Sequence, residues 1–180
     1  MSDIDRFFIL TGGPGSGKTT LIAALAAQGI RHMPEAGRAI IQDQAAIGGS
    51  TLPWADRLAF AELMLSHEMR SYREAQEFSG PVLFDRGIPD VIGYLRVSDL
   101  QVPPHIEQAA QRFRYHRRVF IAPPWPAIFA RDAERKQSLA EAEATYRAMV
   151  AVYSGLGYEL LPLPFAPVPE RVEFVRKIIG

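Results

Sequence analysis

Nine residues near the start of the chain, GGPGSGKTT at positions 12–20, have the types and spacing that bind a chain of phosphates. They fit the pattern Gly-x-x-x-x-Gly-Lys-Ser/Thr. The glycines let the backbone curl closely enough for several N–H groups to converge on an anion. Lys18 would place a positive charge at the β and γ oxygens of a triphosphate, and Thr19 would offer a hydroxyl to Mg²⁺. The predicted nucleotide-binding residues are Gly13, Pro14, Gly15, Ser16, Gly17, Lys18, Thr19 and Thr20.

The segments on either side of these residues are those that such a loop needs. A short apolar stretch at residues 6–11 predicts a buried strand before the loop, and an apolar stretch at residues 21–27 predicts a helix after it. The helix should begin at about Lys18, so that its unpaired N-terminal amides and the positive end of its dipole face the phosphates. The sequence therefore predicts a nucleotide-binding site at this turn.

An acidic residue or an arginine follows two further predicted strands. Glu35 follows the second strand, and Asp85 and Arg86 follow the third. Ligands of parallel α/β sheets bind at the carboxyl ends of the strands, so these side chains are expected at the same edge as the loop. Asp85 would hold Mg²⁺ or one of its waters, Arg86 would contact a phosphate or the acceptor, and Glu35 would act as general base. The alternatives are structural: a helix N-cap for Asp85, a salt bridge for Arg86 and a first-turn glutamate for Glu35.

A further cluster of charges follows the fourth predicted strand. Arg131 and Arg135 would close over the nucleotide and neutralise charge on the transferred phosphoryl group, and the alternative is a helix end of mixed charge. Asp90, Trp54 and Tyr94 are candidates to line an acceptor pocket, although core packing is the favoured alternative for the two aromatic side chains.

The composition limits the classes of protein to which the chain can belong. It has 180 residues, 48% of them hydrophobic, which predicts one domain over residues 1–180 with a sizeable core. Lys plus Arg and Asp plus Glu number 20 each, so no global field favours nucleic acid or an anionic membrane as a partner. The absence of cysteine excludes disulfides, thiolate catalysis and cysteine-bound metal. With no signal-peptide pattern and no long apolar run, we expect a cytoplasmic protein that does not enter a membrane.

Apolar runs with strand character alternate with helical stretches, which predicts a parallel sheet covered by helices on both faces. Strands are predicted at residues 6–11, 30–33, 81–85, 117–122 and 158–163. Helices are predicted at residues 18–27, 39–46, 53–78, 88–97, 103–113, 125–135, 138–156 and 170–179. In the helix predicted to start at Pro53, Leu58 and Leu63 are expected on the buried side and Glu68 on the solvent side.

These residues and the segments between them resemble the P-loop family labelled AAA domain or predicted ATPase, which is similar to small-molecule kinases. The likeness extends over nearly the whole chain. Its segments are TGGPGSGKTT at residues 11–20, PEAGR at 34–38, FDRGIPD at 84–90 and PPWP at 123–126, followed by Asp132, Arg135 and the GY pair at 157–158. The resemblance implies an α/β P-loop NTPase fold of the nucleotide-kinase type, with three layers and a five-stranded parallel sheet.

Similarity to nucleoside and ribosylnicotinamide kinases further implies ATP and Mg²⁺ as cofactors, an acid after the second strand as base, and Arg131 and Arg135 as lid residues. The chain departs from deoxynucleoside kinases at one motif. Those enzymes have an acidic residue followed by Arg and Ser, whereas this chain has DRG at residues 85–87. The role of the serine is therefore absent. Hexameric motors have a second acid where this chain has Arg86, so a motor is not expected.

Together these features predict a Mg-ATP-dependent phosphotransferase that acts on a small hydroxyl-bearing metabolite, such as a nucleoside or a nucleotide-like compound. Its catalytic residues would be Lys18, Glu35, Asp85, Arg86, Arg131 and Arg135, with Thr19 and Asp85 at the metal. Two alternatives stay open: a nucleotide phosphohydrolase, in which water replaces the acceptor, and a nucleotide-sensing module without turnover. The sequence leaves open the acceptor, the choice between ATP and GTP, and whether the protein is a monomer or a homodimer.

Overall fold

Five parallel strands form one sheet in the computed structural model, which describes residues 2–129 and 138–180. The strands are β1 (Phe7–Gly12), β2 (Arg31–Met33), β3 (Val82–Asp85), β4 (Arg118–Ala122) and β5 (Glu159–Pro162). Their order across the sheet is β2-β3-β1-β4-β5, and every neighbouring pair is parallel. The predicted α/β fold with a five-stranded parallel sheet is confirmed.

Helices connect these strands. They are α1 (Asp3–Arg6), α2 (Lys18–Ala27), α3 (Ala36–Ile47), α4 (Arg57–Gln76), α5 (Ile88–Val97), α6 (Pro104–Arg112), α7 (Pro126–Phe129), α8 (Leu139–Gly155) and α9 (Val168–Ile179). The short helix α1 was not predicted, and of the helix predicted at residues 125–135 only the part up to residue 129 lies within the described residues. None of the helices in the described part of the chain is both long and apolar enough to cross a membrane.

The strands bury alternate residues on opposite faces of the sheet, because successive side chains of a strand point to opposite sides. In β1, Phe7 and Ile9 belong to one core, and Phe8 and Leu10 belong to the other. Helices α4, α5, α6 and α8 contribute to the first core, whereas α2 and α9 contribute to the second. All six residues of β1 are buried, which explains why this central strand is a nearly continuous apolar run.

The long helix α4 starts later than the sequence suggests. It begins at Arg57 and not at Pro53, because the side chain of Asp56 caps it by accepting a hydrogen bond from the Ala59 backbone N–H at 3.0 Å. The residues from Pro53 to Ala55 form a turn before the helix.

The buried face of α4 also differs from the prediction. Leu58 and Leu63 were expected in the core, but they are 45% and 37% exposed. Glu68 was expected in solvent, but it is only 4% exposed. Phe60, Met64 and Glu68 are four residues apart and therefore lie along one face of the helix. Phe60 and Met64 on that face pack with residues of α3 and α5, and Glu68 is buried on the same face, where solvent exposure was expected.

We predict that Gly12→Ala destabilises the protein more than Gly48→Ala. Both glycines have a positive φ, +129° and +66°, so alanine is strained at each. A Cβ at Gly12 would also clash with the backbone of Ala122 on β4, whereas a Cβ at Gly48 meets nothing within 4 Å. Chemical denaturation should show a loss of about 1 kcal/mol for Gly48→Ala and about 2 to 4 kcal/mol for Gly12→Ala. Equal losses would show that β1 and β4 can move apart at no cost.

Candidate active site

The loop between β1 and α2 holds the residues predicted to bind phosphate. Gly15 and Gly17 have φ angles of +76° and +77°, a region that favours glycine. The Ser16 hydroxyl donates a hydrogen bond to the Gly13 carbonyl oxygen at 2.9 Å and closes the loop. Helix α2 begins at Lys18, so the predicted residues 13–20 lie on this loop and on the first turn of α2.

Lys18 lies within the loop and is 7% exposed. Its Nζ donates hydrogen bonds to the carbonyl oxygens of Gly12 at 3.1 Å and Gly13 at 2.7 Å. Burial lowers the pKa of Lys18 to about 7, and the positive charge of Arg86 acts in the same direction. A bound anion would favour the charged form of this side chain and would reverse that shift.

Arg86 joins the end of β3 to two other elements of the site. Its Nε donates to Glu35 Oε1 at 3.0 Å, and its Nη1 donates to the carbonyl oxygen of Gly12 at 3.1 Å. Burial opposes the charge of Arg86, but the carboxylates of Glu35 and Asp90 outweigh it and raise the pKa of the guanidinium above its ordinary value. Arg86 is therefore a fixed cation between the second strand's carboxyl end and the loop.

Glu35 stands at the N-cap of α3, and its side chain is 34% exposed. Burial acts to raise the pKa of Glu35, but the charges of Arg86 and Lys18 outweigh it and hold that pKa below its ordinary value. The carboxylate is thus ionised at neutral pH and partly open to solvent. A side chain in this state can accept a proton from a hydroxyl group placed beside it.

Asp85 is the best-placed candidate to hold a divalent cation. Its Oδ1 atom is buried, and no described residue hydrogen-bonds to it. Burial raises the pKa of Asp85 above its ordinary value, against the lowering effect of the Arg86 charge. A buried carboxylate oxygen without a partner fits Mg²⁺ or a water bound to it, and the exposed Thr19 on the first turn of α2 could supply a hydroxyl ligand. Asp85 and Thr19 therefore fit a magnesium ion.

Glu68 is buried, although sequence reasoning placed it on the surface. The charges of Asp90, Arg86, Asp85 and Glu35 all influence the pKa of Glu68, so its carboxyl lies within the electrostatic range of the residues at the ends of β2 and β3. Burial, reinforced by the charge of Asp90, raises the pKa of Glu68 well above its ordinary value. The signal that would have found it is its four-residue spacing from Phe60 and Met64, both of which are apolar.

The three candidates for the acceptor pocket have different surroundings. Asp90 is 6% exposed and accepts hydrogen bonds from its protein neighbours, so its carboxylate is held in the interior of the protein. The ring of Tyr94 packs on Phe60 with the ring centroids 5.5 Å apart. Trp54 is 68% exposed, so the favoured alternative of core packing is wrong for this side chain.

The lid candidates Arg131 and Arg135 lie outside the described residues. Among the described residues, Arg171 of α9 contacts the loop. It is 3% exposed, and its Nη2 donates to the carbonyl oxygen of Ser16 at 3.1 Å. Sequence reasoning missed this residue because nothing in its own segment links it to a loop 155 residues earlier.

Solved structures of nucleoside and nucleotide kinases share this fold. The chain matches deoxyadenosine kinase from M. mycoides with the products dCMP and dCDP bound, with a TM-score of 0.70, 12% identity, and coverage of 96% of this chain and 97% of that chain. The same enzyme with dATP bound gives a TM-score of 0.63, 14% identity, and coverage of 96% and 97%. Thymidylate kinase from Ehrlichia chaffeensis gives a TM-score of 0.66, 14% identity, and coverage of 97% and 98%.

At these identities the likeness is one of fold, and no curated protein sequence matches the chain significantly. A family model does match, over residues 7–171, and its description is AAA domain. The match runs from the first residue of β1 into α9, so it includes the loop with Lys18 as well as Glu35, Asp85 and Arg86. Because the model spans most of the sequence, the chain belongs to the AAA domain family, as the resemblance predicts.

Proposed function

We propose that the protein is a Mg-ATP-dependent phosphotransferase that acts on a hydroxyl group of a small nucleoside-like acceptor. One observation carries this proposal: the Nε of Arg86 lies 3.0 Å from Glu35 Oε1, while Nη1 of the same guanidinium lies 3.1 Å from the Gly12 carbonyl oxygen of the loop. A carboxylate that can take a proton is thus fixed beside the place where the phosphate chain would lie. That juxtaposition is what transfer of a phosphoryl group to a hydroxyl requires.

The nucleotide half of the proposal rests on the loop and its neighbours. Lys18 and the backbone amides of residues 13–20 would bind the triphosphate, and Thr19 and Asp85 would hold Mg²⁺. The magnesium ion would neutralise charge between the phosphates. Arg86 would stabilise the transferred phosphoryl group, and Arg131 and Arg135 are proposed as residues that close over it.

The acceptor half of the proposal rests on an apolar wall next to Glu35. A Cβ placed on Gly37 would lie 3.7 Å from both Glu35 Oε1 and Phe60 Cζ, and 4.0 Å from Met64 Sδ. The side chains of Phe60 and Met64 therefore approach the same point beside Gly37 as the proposed base, and the buried Glu68 lies one helical turn beyond Met64. Such a wall suits a flat organic ring, and the solved structures with this fold act on deoxyadenosine and thymidylate, as their names state.

The direct test is release of ADP from Mg-ATP with and without mixed pools of nucleosides, nucleotides, sugars and vitamins. Lys18→Ala serves as the blank because it removes the charge that would bind the triphosphate. Release that depends on one pool, and is lost in the variant, would support the proposal and begin to identify the acceptor. Equal release with and without the pools would indicate a phosphohydrolase, and binding without release would indicate a nucleotide sensor; either outcome would contradict it.

Glu35→Gln should lower kcat for acceptor phosphorylation by about a hundredfold or more, because the amide cannot accept the hydroxyl proton. The Kd for Mg-ATP should change little, since no contact of the loop is removed. Glu74→Gln, on the exposed surface of α4, is the matched control and should behave as wild type. Undiminished phosphorylation by Glu35→Gln would show that another group is the base.

Binding of ATP should weaken as the pH rises above about 7. Lys18 has a pKa of about 7 in the free protein, and a triphosphate favours its charged form, so binding above that pH must take up a proton. The Kd should therefore increase by up to about tenfold per pH unit between pH 7 and pH 9. Calorimetry in buffers of different ionisation enthalpy should detect the proton, and Lys18→Ala should abolish the effect. A Kd that is constant over this range in the wild type would contradict the low pKa.

Glu68→Leu should raise the KM for the acceptor by about tenfold or more, the cost of a lost hydrogen bond to a buried group. Glu68→Gln is the control, since burial already favours the uncharged acid and glutamine keeps its volume and hydrogen-bonding atoms. That variant should stay within about threefold of wild type, a difference well below the cost of one hydrogen bond. If both variants bind the acceptor like wild type, Glu68 lies outside the acceptor pocket.

A further inference from the structure

Asp90 is a buried carboxylate with donors on every side. Thr11 Oγ1 and Arg86 Nη1 donate to its Oδ1 at 2.5 and 3.4 Å. The Tyr153 hydroxyl and the Gly87 backbone N–H donate to its Oδ2 at 2.6 and 3.0 Å. These partners come from β1, from α8 and from the turn that joins β3 to α5, so Asp90 connects three elements at the floor of the site.

Arg86 is the partner of Asp90 that reaches the proposed reaction centre. Its φ of +73° is rare for a residue with a side chain and is energetically unfavourable. In that conformation its backbone N–H donates to the Leu10 carbonyl oxygen at 3.0 Å, and its guanidinium is shared between Glu35, Gly12 and Asp90. The contacts with Glu35 and Gly12 are shorter than the contact with Asp90, which also accepts three other hydrogen bonds.

We propose that Asp90 is a positioning residue, held by Tyr153 and Thr11, that fixes the guanidinium of Arg86 between Glu35 and the phosphate-binding loop. A carboxylate free of Tyr153 could shift, and the Nη1 end of the guanidinium that it holds would shift with it, away from the position in which Nε meets Glu35. Tyr153 therefore keeps Asp90 where it holds Arg86 against Glu35. This inference rests on the proposed function for its kinetic consequence, but the geometry that it concerns exists in the free protein.

The packing of α8 explains how Tyr153 reaches Asp90. Two glycines let this helix approach closely: a Cβ at Gly13 would lie 2.5 Å from the Ala142 carbonyl oxygen, and a Cβ at Gly93 would lie 2.5 Å from Met149 Sδ. The helix therefore lies against both the loop and α5. Tyr153, one turn after Met149, is completely buried, and its hydroxyl donates a hydrogen bond to the Asp90 carboxylate.

The test compares two variants that each remove one buried hydroxyl. Tyr153→Phe removes the bond to Asp90 and leaves every charge in place, whereas Asp90→Asn would also change the field at Glu35. Tyr72→Phe is the matched control, since the Tyr72 hydroxyl donates to the Arg114 carbonyl oxygen at 2.8 Å in the same core, without touching Asp90. Thermal unfolding would show that both variants are folded and similarly destabilised.

The first readout is solvent exchange of the Arg86 Nε proton, measured by NMR in the free protein and assigned with Arg86→Lys. That proton is hydrogen-bonded to Glu35, so its exchange with solvent should be about tenfold faster in Tyr153→Phe than in wild type, the effect of weakening one hydrogen bond. The exchange rate should be unchanged in Tyr72→Phe. Equal exchange in the two variants would overturn the proposal. If Tyr153→Phe does not fold, Asp90→Asn is measured in the same way, and exchange as slow as in wild type would likewise overturn it.

The second readout is kinetic. Tyr153→Phe should lower kcat for acceptor phosphorylation by about tenfold and leave the KM for ATP within about twofold, because orientation and not binding is lost. Tyr72→Phe should keep both values, and an equal loss of kcat in the two variants would contradict the positioning role. If the wild type phosphorylates no acceptor, the proposed function fails, while the exchange measurement still decides whether Asp90 and Tyr153 position Arg86.

Discussion

The guanidinium of Arg86 is the point on which the arrangement of the site depends. It stands at the carboxyl end of β3 and bonds at once to Glu35 before α3 and to Gly12 at the start of the loop. These residues belong to segments far apart in the chain, and one planar cation with several donors can orient all of them. The backbone accepts an uncommon left-handed conformation at Arg86, which the bonds around it stabilise.

Burial shifts the ionisation of several charged groups around this arginine. The carboxyl groups of Glu35, Asp85 and Asp90 act on both Arg86 and Lys18, and the charge of Arg86 acts on Glu68. Burial favours the neutral forms of Glu68 and Asp85, and it favours the neutral form of Lys18 as well. Such a site responds to added charge: phosphates would favour charged Lys18, and a divalent cation would favour ionised Asp85. The ionisable groups of the free protein can therefore respond to phosphates and to a divalent cation.

The absence of a serine after Arg86, where deoxynucleoside kinases have one, has a physical reason in this chain. A Cβ at Gly87 would lie 2.7 Å from Ile9 Cδ1 and 3.2 Å from Tyr115 Cζ, so the core leaves little room for a side chain. The backbone N–H of Gly87 is instead bound by Asp90, which closes the first turn of α5. The turn is thus stabilised from within the helix, and the same carboxylate bonds to Arg86.

The sequence by itself determined the strands, most of the helices and the meeting of Glu35 and Arg86 at one edge, because hydrophobic periodicity is local and parallel strands end at the same side of a sheet. Only the tertiary structure decided the rest. Glu68 is buried because of the rotation of α4, which the mixed pattern of that helix does not specify. The contacts of Tyr153 with Asp90 and of Arg171 with the loop join distant segments, and such contacts arise from the packing of whole helices against the sheet.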